Sequence, residues 1–232
     1  MKKLVLFLHV VSFTFCYSQQ SSQEIDSRKN VVGDLNAYAS GLWVKPPLEN
    51  NVKGSPYLFK NWSNIATIYS SQGKMFKVRN INYDTKKDRF VAKFSIDSIY
   101  VFDSYFLNKI RIYNRIFKLT NNKDETSYYE LIAGAKGKQI LKKSYKKIKK
   151  GARDPFTNLL TQSQYILIEK YYFNSKEGLK EIKLKKKSFL KLFKQDSHVA
   201  KKIISQNNLS IKKDSDLVKF FKIYKNTSSN NK

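Results

Sequence analysis

From about Tyr57 onward, apolar residues recur at every second position in short runs that turn-forming residues interrupt. This alternation is typical of antiparallel strands, which bury one face and expose the other. After Lys185 the apolar spacing changes to three and four residues, as in amphipathic helices. Strands followed by helices predict an α+β fold: an antiparallel, hairpin-rich sheet or partly closed barrel, followed by two or three short C-terminal helices.

Turn-forming residues indicate where the chain reverses direction between paired strands. The predicted hairpins join residues 65–69 to 74–81, residues 110–117 to 128–133, and residues 165–173 to 179–184. Gly73 is expected to take the positive φ that the first turn requires. In residues 90–96, we predict that Phe90, Ala92, Phe94 and Ile96 form a buried face.

The tail carries three apolar clusters with helical spacing. Asp196 or Ser197, and Asp214, stand where helix N-caps are expected. The predicted organisation is a signal peptide (1–18), an irregular lead-in (19–55), an antiparallel β domain (56–184), a helical tail packed on that domain (185–225) and a disordered end (226–232).

The first residues have the composition of a secretory signal peptide. Lys2 and Lys3 precede an apolar run at residues 4–15, and small residues flank Tyr17. This pattern predicts export with cleavage after Ser18. The alternative, an N-terminal strand or buried helix, fits less well because the run is short and a polar stretch follows it.

Cys16 allows a second interpretation, a lipoprotein that is acylated on this cysteine. That chemistry prefers a small residue before the cysteine and leucine or a similar residue at −3, whereas Phe15 and Phe13 stand there. The sequence therefore argues against lipid anchoring through Cys16.

Signal-peptide removal would narrow the available chemistry. It would lower the formal net charge from +27 to +25 and remove the single cysteine, leaving His198 as the remaining histidine. Disulfides, Cys/His zinc sites and cysteine nucleophiles are then excluded. A long secreted chain without cysteines fits the periplasm or envelope of a Gram-negative-type bacterium better than animal secretion.

The positive charge is almost entirely lysine. Only six of the 45 basic residues are arginine, the residue that typically reads bases and phosphates with two hydrogen bonds. This composition argues against sequence-specific nucleic-acid recognition. Codon bias in an AT-rich genome is another source of such lysine enrichment.

The most basic segment is residues 138–153, which contains no acidic residue. Apolar residues alternate with its lysines, so the segment is a candidate site for an anionic polymer or lipid surface. The alternative is a long edge strand whose lysines prevent aggregation. The predicted anion-binding residues are Lys142, Lys143, Lys146, Lys147, Lys149, Lys150 and Arg153.

The sequence contains no recognisable catalytic constellation. We interpret the carboxylate pairs, Asp84 with Asp88 and Asp97 with Asp103, as turn and strand-edge residues. We interpret His198 as a structural or exposed residue. No nucleophile, zinc-protease or phosphate-loop motif is present. We therefore expect a non-enzymatic protein without a metal or cofactor.

Two segments carry a resemblance. They are Gly54-Ser55-Pro56-Tyr57-Leu58 and the tail sequence KKKSFLKLF followed by VAKKIISQNNLSIKKDSDLVKFFKIY. With the N-terminal signal, this layout resembles a group of exported bacterial proteins with a hairpin-rich β body and a lysine-rich helical tail. The resemblance implies a cell-envelope location and no particular activity.

The leading functional hypothesis is association with an anionic envelope component: lipid, acidic polysaccharide or an acidic protein. The alternative is a structural or assembly module that docks to another envelope protein through its sheet edge or helical tail. No transmembrane span is expected in the mature chain.

Overall fold

The computed structural model describes residues 23–25, 39–46, 52–122 and 125–227. The predicted signal peptide, its cleavage site after Ser18 and Cys16 lie outside the described residues.

Thirteen strands are described. They are β1 (Gln23–Ile25), β2 (Gly41–Val44), β3 (Ile65–Ser70), β4 (Met75–Arg79), β5 (Ile81–Asp84), β6 (Arg89–Lys93), β7 (Ile99–Phe102), β8 (Leu107–Ile112), β9 (Arg115–Asn122), β10 (Glu125–Ala135), β11 (Lys138–Lys149), β12 (Gln164–Ser175) and β13 (Gly178–Ile182).

The strands form two open sheets. The larger has nine strands in the order β1-β4-β3-β8-β9-β10-β11-β12-β13, and the smaller has the order β2-β7-β6-β5. All pairs are antiparallel except β1 with β4. Neither sheet closes among the described residues, so of the two predicted forms the structure has the hairpin-rich open sheet.

Helices follow the strands, which confirms the α+β class. They are α1 (Lys186–Lys191), a single 3₁₀ turn (Lys194–Asp196), α2 (Ser197–Gln206) and α3 (Asp214–Thr227). Asp196 occupies the N-cap position of α2 without a capping hydrogen bond from its side chain. α3 reaches Thr227, so the first two residues of the predicted disordered end are helical.

Two hydrophobic cores stabilise the fold. The first lies between the two sheets and contains aromatic residues such as Tyr83, Phe90 and Tyr100. The second lies where the helices cover the larger sheet, with Phe193 and Phe220 among its members. Burying a large side chain contributes about 1.5–3 kcal/mol, so the tail helices depend on this sheet for their stability.

Residues 19–55 were predicted to be irregular, but β1 and β2 lie within them. β2 is four residues long and pairs with β7, so it gives little periodic signal. Gly41 allows this pairing because a Cβ there would lie 2.3 Å from the carbonyl oxygen of Val101.

Two local predictions differ from the structure. The run of residues 110–117 is two strands, because Tyr113 adopts a φ of 53° in a tight turn between β8 and β9. The predicted single buried face of residues 90–96 is also wrong. Val91 is buried as well as Phe90 and Ala92, while Ile96 lies exposed beyond the end of β6.

Candidate anion-binding site

The predicted basic segment lies on β11 and in the loop after it. β11 pairs with β10 through residues 138–142 and with β12 through residues 139–149. Beyond Lys142, the only strand that pairs with β11 in the described chain is β12. The edge-strand interpretation therefore fits only the second half of the segment.

Lys142 is buried and binds carboxylates of the protein itself. Its Nζ lies 2.7 Å from Asp214, 3.4 Å from Glu169 and 3.7 Å from Glu130. Burial lowers the pKa of Lys142, but the hydrogen bond to Asp214 and the charges of Glu130 and Asp214 outweigh it, so the pKa is raised. This ammonium is held charged in the interior and is not offered to an external anion.

The carboxylates around Lys142 have further partners. Glu130 accepts two hydrogen bonds from the guanidinium of Arg115, at 2.8 and 2.7 Å. The hydroxyl of Tyr171 donates to Asp214 at 2.9 Å, and burial and this hydrogen bond raise the pKa of Tyr171. Asp214 is the first residue of α3, so the contacts of Asp214 with Lys142 and Tyr171 link the last helix to the larger sheet.

Lys143 is also engaged inside the protein. Its Nζ lies 2.7 Å from Asp88 and 3.4 Å from the hydroxyl of Tyr83, which itself donates a hydrogen bond to Asp88. Burial lowers the pKa of Lys143 more than the charge of Asp88 raises it. The contact joins β11 to the turn between β5 and β6.

Lys146 binds backbone groups. Its Nζ donates to the carbonyl oxygens of Ser55 and Tyr57, and its backbone N–H donates to the hydroxyl of Thr85 at 3.1 Å. Burial lowers the pKa of Lys146. Like Lys142 and Lys143, it stabilises the packing of β11 against neighbouring segments.

The remaining four predicted residues lie on a different part of the chain. Residues 147–167, which we call the arm, comprise the end of β11, the following loop and the start of β12. No residue between Tyr145 and Tyr172 is buried, so this hairpin extends away from both cores. The arm contains four basic residues, Lys147, Lys149, Lys150 and Arg153, and one acidic residue, Asp154.

The arm is nevertheless a hydrogen-bonded hairpin. At its base, the N–H of Lys53 donates to the carbonyl of Ser163 at 2.8 Å, and the N–H of Tyr165 donates to the carbonyl of Lys53 at 3.0 Å. Gly151 permits close pairing, because a Cβ there would lie 1.6 Å from the carbonyl oxygen of Thr161.

A compact turn forms the end of the arm, residues 154–160, which we call the tip. The carboxylate of Asp154 accepts backbone N–H groups of Phe156 and Thr157 at 2.9 and 2.8 Å. These hydrogen bonds lower the pKa of Asp154. Arg153 donates to the side-chain oxygen of Asn158 at 3.0 Å, which further fixes the turn.

Apolar side chains stand exposed on this ordered tip. Phe156 is 96% exposed, Leu159 69% and Leu160 73%. Ile148, Ile166 and Leu167 are also exposed on the arm, so it holds six of the twelve exposed large hydrophobic residues in the described chain. Such a concentration of exposed apolar groups is unusual on a water-facing surface and typically marks an interaction site.

The seven predicted residues thus form two groups. Lys142, Lys143 and Lys146 make internal contacts, whereas Lys147, Lys149, Lys150 and Arg153 lie exposed on the arm. The three arm lysines have no carboxylate partner in the described residues, and Arg153 binds Asn158. Lys147 lies over the ring of Tyr145, 5.7 Å from its centroid.

Three of the four carboxylate candidates make structural contacts in the described chain. Asp84 accepts backbone N–H groups of its own turn, and Asp88 binds Tyr83 and Lys143. Asp103 accepts the N–H of Tyr105 at 3.0 Å. Asp97 lies exposed in the turn after β6.

Other potential sites are limited in the described part of the chain. His198 is exposed, with Nδ1 3.2 Å from the carbonyl of Gln195, and no group of three potential metal-binding side chains occurs there. A surface cavity of about 500 Å³ separates β13 from α1. Acids and bases, including Glu177, Glu181, Lys183 and Lys191, mix on its walls, so it has no single charge preference.

Among the described residues, no helix has the length and apolar character needed to cross a bilayer. Comparison with protein-family models, curated proteins and solved structures finds no match to this chain. The resemblance to exported bacterial proteins therefore stays a prediction, and the arm must be interpreted from its own chemistry.

The sequence interpretation missed the tip residues Phe156, Leu159 and Leu160. One available signal was the Asp154-Pro155 dipeptide, which favours a turn and places Phe156 at its apex.

Proposed function

We propose that this chain is a non-enzymatic, exported module that associates with an anionic component of a bacterial cell envelope through its arm. The observation that carries the proposal is the position of Lys147, Lys149 and Lys150. They are exposed on a hairpin without buried residues and have no carboxylate partner in the described chain. The internal acids already neutralise Lys142 and Lys143, so the arm is the part of the basic segment that an external anion reaches.

Charge density supports an extended anionic surface as the ligand. The arm displays four basic residues and one acid, and the carboxylate of that acid is occupied by backbone N–H groups of the tip. Each lysine close to an anionic surface contributes about 1 kcal/mol of attraction. Three arm lysines therefore account for roughly a 100-fold change in affinity.

Co-sedimentation tests this proposal. The chain would be mixed with phosphatidylcholine vesicles with or without phosphatidylglycerol, and with dextran sulfate resin, at low and high salt. We expect salt-sensitive binding to at least one anionic probe and none to neutral vesicles. Absence of binding to both anionic probes at low salt would reject the proposal.

A matched pair of variants locates the binding surface. The arm variant carries Lys147→Gln, Lys149→Gln and Lys150→Gln. The control carries Lys185→Gln, Lys186→Gln and Lys187→Gln, which are exposed and change the net charge equally. We expect roughly 100-fold weaker binding for the arm variant and a much smaller loss for the control. Equal losses would show that net charge, not the arm, governs binding.

The second candidate function is docking to an envelope protein through a sheet edge. β13 is the last strand of the larger sheet and pairs on one side only in the described chain. Edge pairing uses backbone hydrogen bonds, so it would persist at a salt concentration that screens surface charge. Salt-resistant capture of a partner, with no binding to the anionic probes, would favour this function.

A further inference from the structure

We infer that the arm is a membrane-docking device: its apolar tip enters the surface layer of a lipid bilayer while its basic stem binds anionic headgroups. This inference rests on the proposed function and names the anionic component as lipid. Phe156, Leu159 and Leu160 form the inserting part, and the basic residues nearest to it, Lys149, Lys150 and Arg153, form the headgroup-binding part.

Hydrogen bonds fix the backbone of the tip in a turn that leaves its apolar side chains exposed. Four of the six backbone N–H groups of residues 154–160 donate within the turn: that of Asp154 to the carbonyl of Leu159, that of Asn158 to the carbonyl of Asp154, and those of Phe156 and Thr157 to the Asp154 carboxylate. Backbone groups that enter a lipid environment must be paired internally, since no water is present to replace lost hydrogen bonds. A turn with most of its N–H groups paired enters at less cost than an open loop.

The spacing between tip and stem matches the depth of a bilayer surface. Lys150 precedes Asp154 by four residues, which span roughly 13 Å in an extended strand. A headgroup layer is about 5–8 Å thick on each side of the hydrocarbon core. When the tip reaches the outer edge of the acyl chains, Arg153 and Lys150 are therefore at or just outside the headgroups.

The residue types favour a lipid surface over a protein partner. Protein interfaces are enriched in arginine and depleted in lysine, whereas the arm carries three lysines and one arginine. The most exposed large hydrophobic residue of the described chain, Phe156, sits at the apex of a turn, not in a groove or on a flat face. Aromatic and leucine side chains beside lysines are the combination used by segments that lie in membrane interfaces.

Vesicle binding of tip variants tests insertion directly. Phe156→Asp with Leu160→Asp removes apolar groups from the tip, and Tyr105→Asp with Ile96→Asp is the matched control, because those residues are 85% and 79% exposed outside the arm. For vesicles containing phosphatidylglycerol, we expect the tip variant to bind roughly 10- to 100-fold more weakly and the control to lose much less. All of these sites are exposed, and thermal unfolding checks that both variants remain folded.

A depth measurement provides a second, independent result. Tryptophan fluorescence of Phe156→Trp is expected to shift to the blue on binding and to be quenched by lipids brominated on their acyl chains. Gln162→Trp, an exposed position nearer the base of the arm, is expected to be quenched less. The unsubstituted chain, which contains Trp43 and Trp62, supplies the background.

The outcomes separate the inference from the proposed function. Salt-sensitive vesicle binding without any effect of the tip variant, and without a blue shift in the fluorescence of the Phe156→Trp variant, would overturn insertion but leave anionic association standing. Binding to dextran sulfate but not to vesicles would likewise reject the bilayer as partner. Failure to bind either probe would overturn both. Equal losses for the tip variant and its control would also reject the tip as the inserting element.

Discussion

Replacing Lys142 by methionine is expected to destabilise the whole fold, although the substitution adds no steric burden. Methionine preserves the length and apolar part of the side chain while removing the ammonium. Asp214, Glu169 and Glu130 then lose their shared positive partner, and three carboxylates are left close to one another. The expected loss is therefore electrostatic.

The structure sets the size of this effect. Breaking a buried ion pair by removing one partner typically costs about 3–5 kcal/mol. Two of the three acids are more than a third exposed, and Glu130 keeps its paired hydrogen bonds from Arg115. We therefore expect the free energy of unfolding to fall by about 2 kcal/mol, or the melting temperature by roughly 4–8 °C for a chain of this size.

Urea unfolding of the variant and of Lys147→Met measures this loss. Lys147 is an exposed lysine on the same strand, so its replacement is expected to change stability by less than about 0.5 kcal/mol. The double variant Lys142→Met with Asp214→Asn removes an excess negative charge and should be less destabilised than the sum of the single variants. If Lys142→Met and Lys147→Met were equally stable, the structural role assigned to the buried lysine would be refuted.

Folding lowers the pKa of Lys143, so the unfolded chain holds this proton more tightly than the folded one. The stability of the parent relative to Lys143→Met should therefore rise as pH rises toward the ordinary value of 10.5. Folding raises the pKa of Lys142, so the stability that its ammonium contributes should be lost as pH rises above 10.5. Urea unfolding of Lys142→Met, Lys143→Met and the parent at mildly and strongly alkaline pH measures both trends. Gly151→Ala should separate the two strands in the outer half of the arm, where its Cβ would meet the carbonyl of Thr161, giving faster proteolysis within residues 150–163 with an unchanged global unfolding midpoint. Gly41→Ala should instead lower the free energy of unfolding by about 2 kcal/mol in a urea titration, because its Cβ would lie 2.6 Å from the ring of buried Tyr100.

The parts of the fold that the sequence predicts are those with a local cause. The hairpin at Gly73 forms where expected, with a φ of 78°, because only two adjacent strands and a permissive residue are needed. The pairing of β12 with β13 is confirmed for the same reason. The tail helices follow from their three-and-four spacing, which is visible within each segment.

The errors occur where distant segments decide the outcome. Val91 reads as a solvent-facing residue in an alternating run, but the folded chain covers both faces of β6. The turn at Tyr113 interrupts a regular apolar pattern without glycine or proline, so its one local signal is Asn114, which is weak beside the apolar alternation.

The same limit applies to the basic segment. Lys142 and Lys147 have similar neighbours in sequence, but only Lys142 meets Asp214, which lies 72 positions away. Composition reports how much charge a chain carries, and only the fold shows which charges are already neutralised. This is why the predicted seven-residue site divides between the interior and the arm.

The split of the basic segment between the interior and the arm also helps to decide whether the lysine excess comes from codon bias or from function. Codon bias explains lysines on a solvated surface, but it does not explain why lysines on the arm accompany half of the exposed large hydrophobic residues in the described chain. Exposed apolar groups cost solubility, and a turn with internally paired backbone N–H groups holds them outward. Selection for solubility alone would retain the lysines and replace Phe156, Leu159 and Leu160 with polar residues. Their presence on a hydrogen-bonded tip is therefore a stronger argument for the proposed association than the lysine content alone.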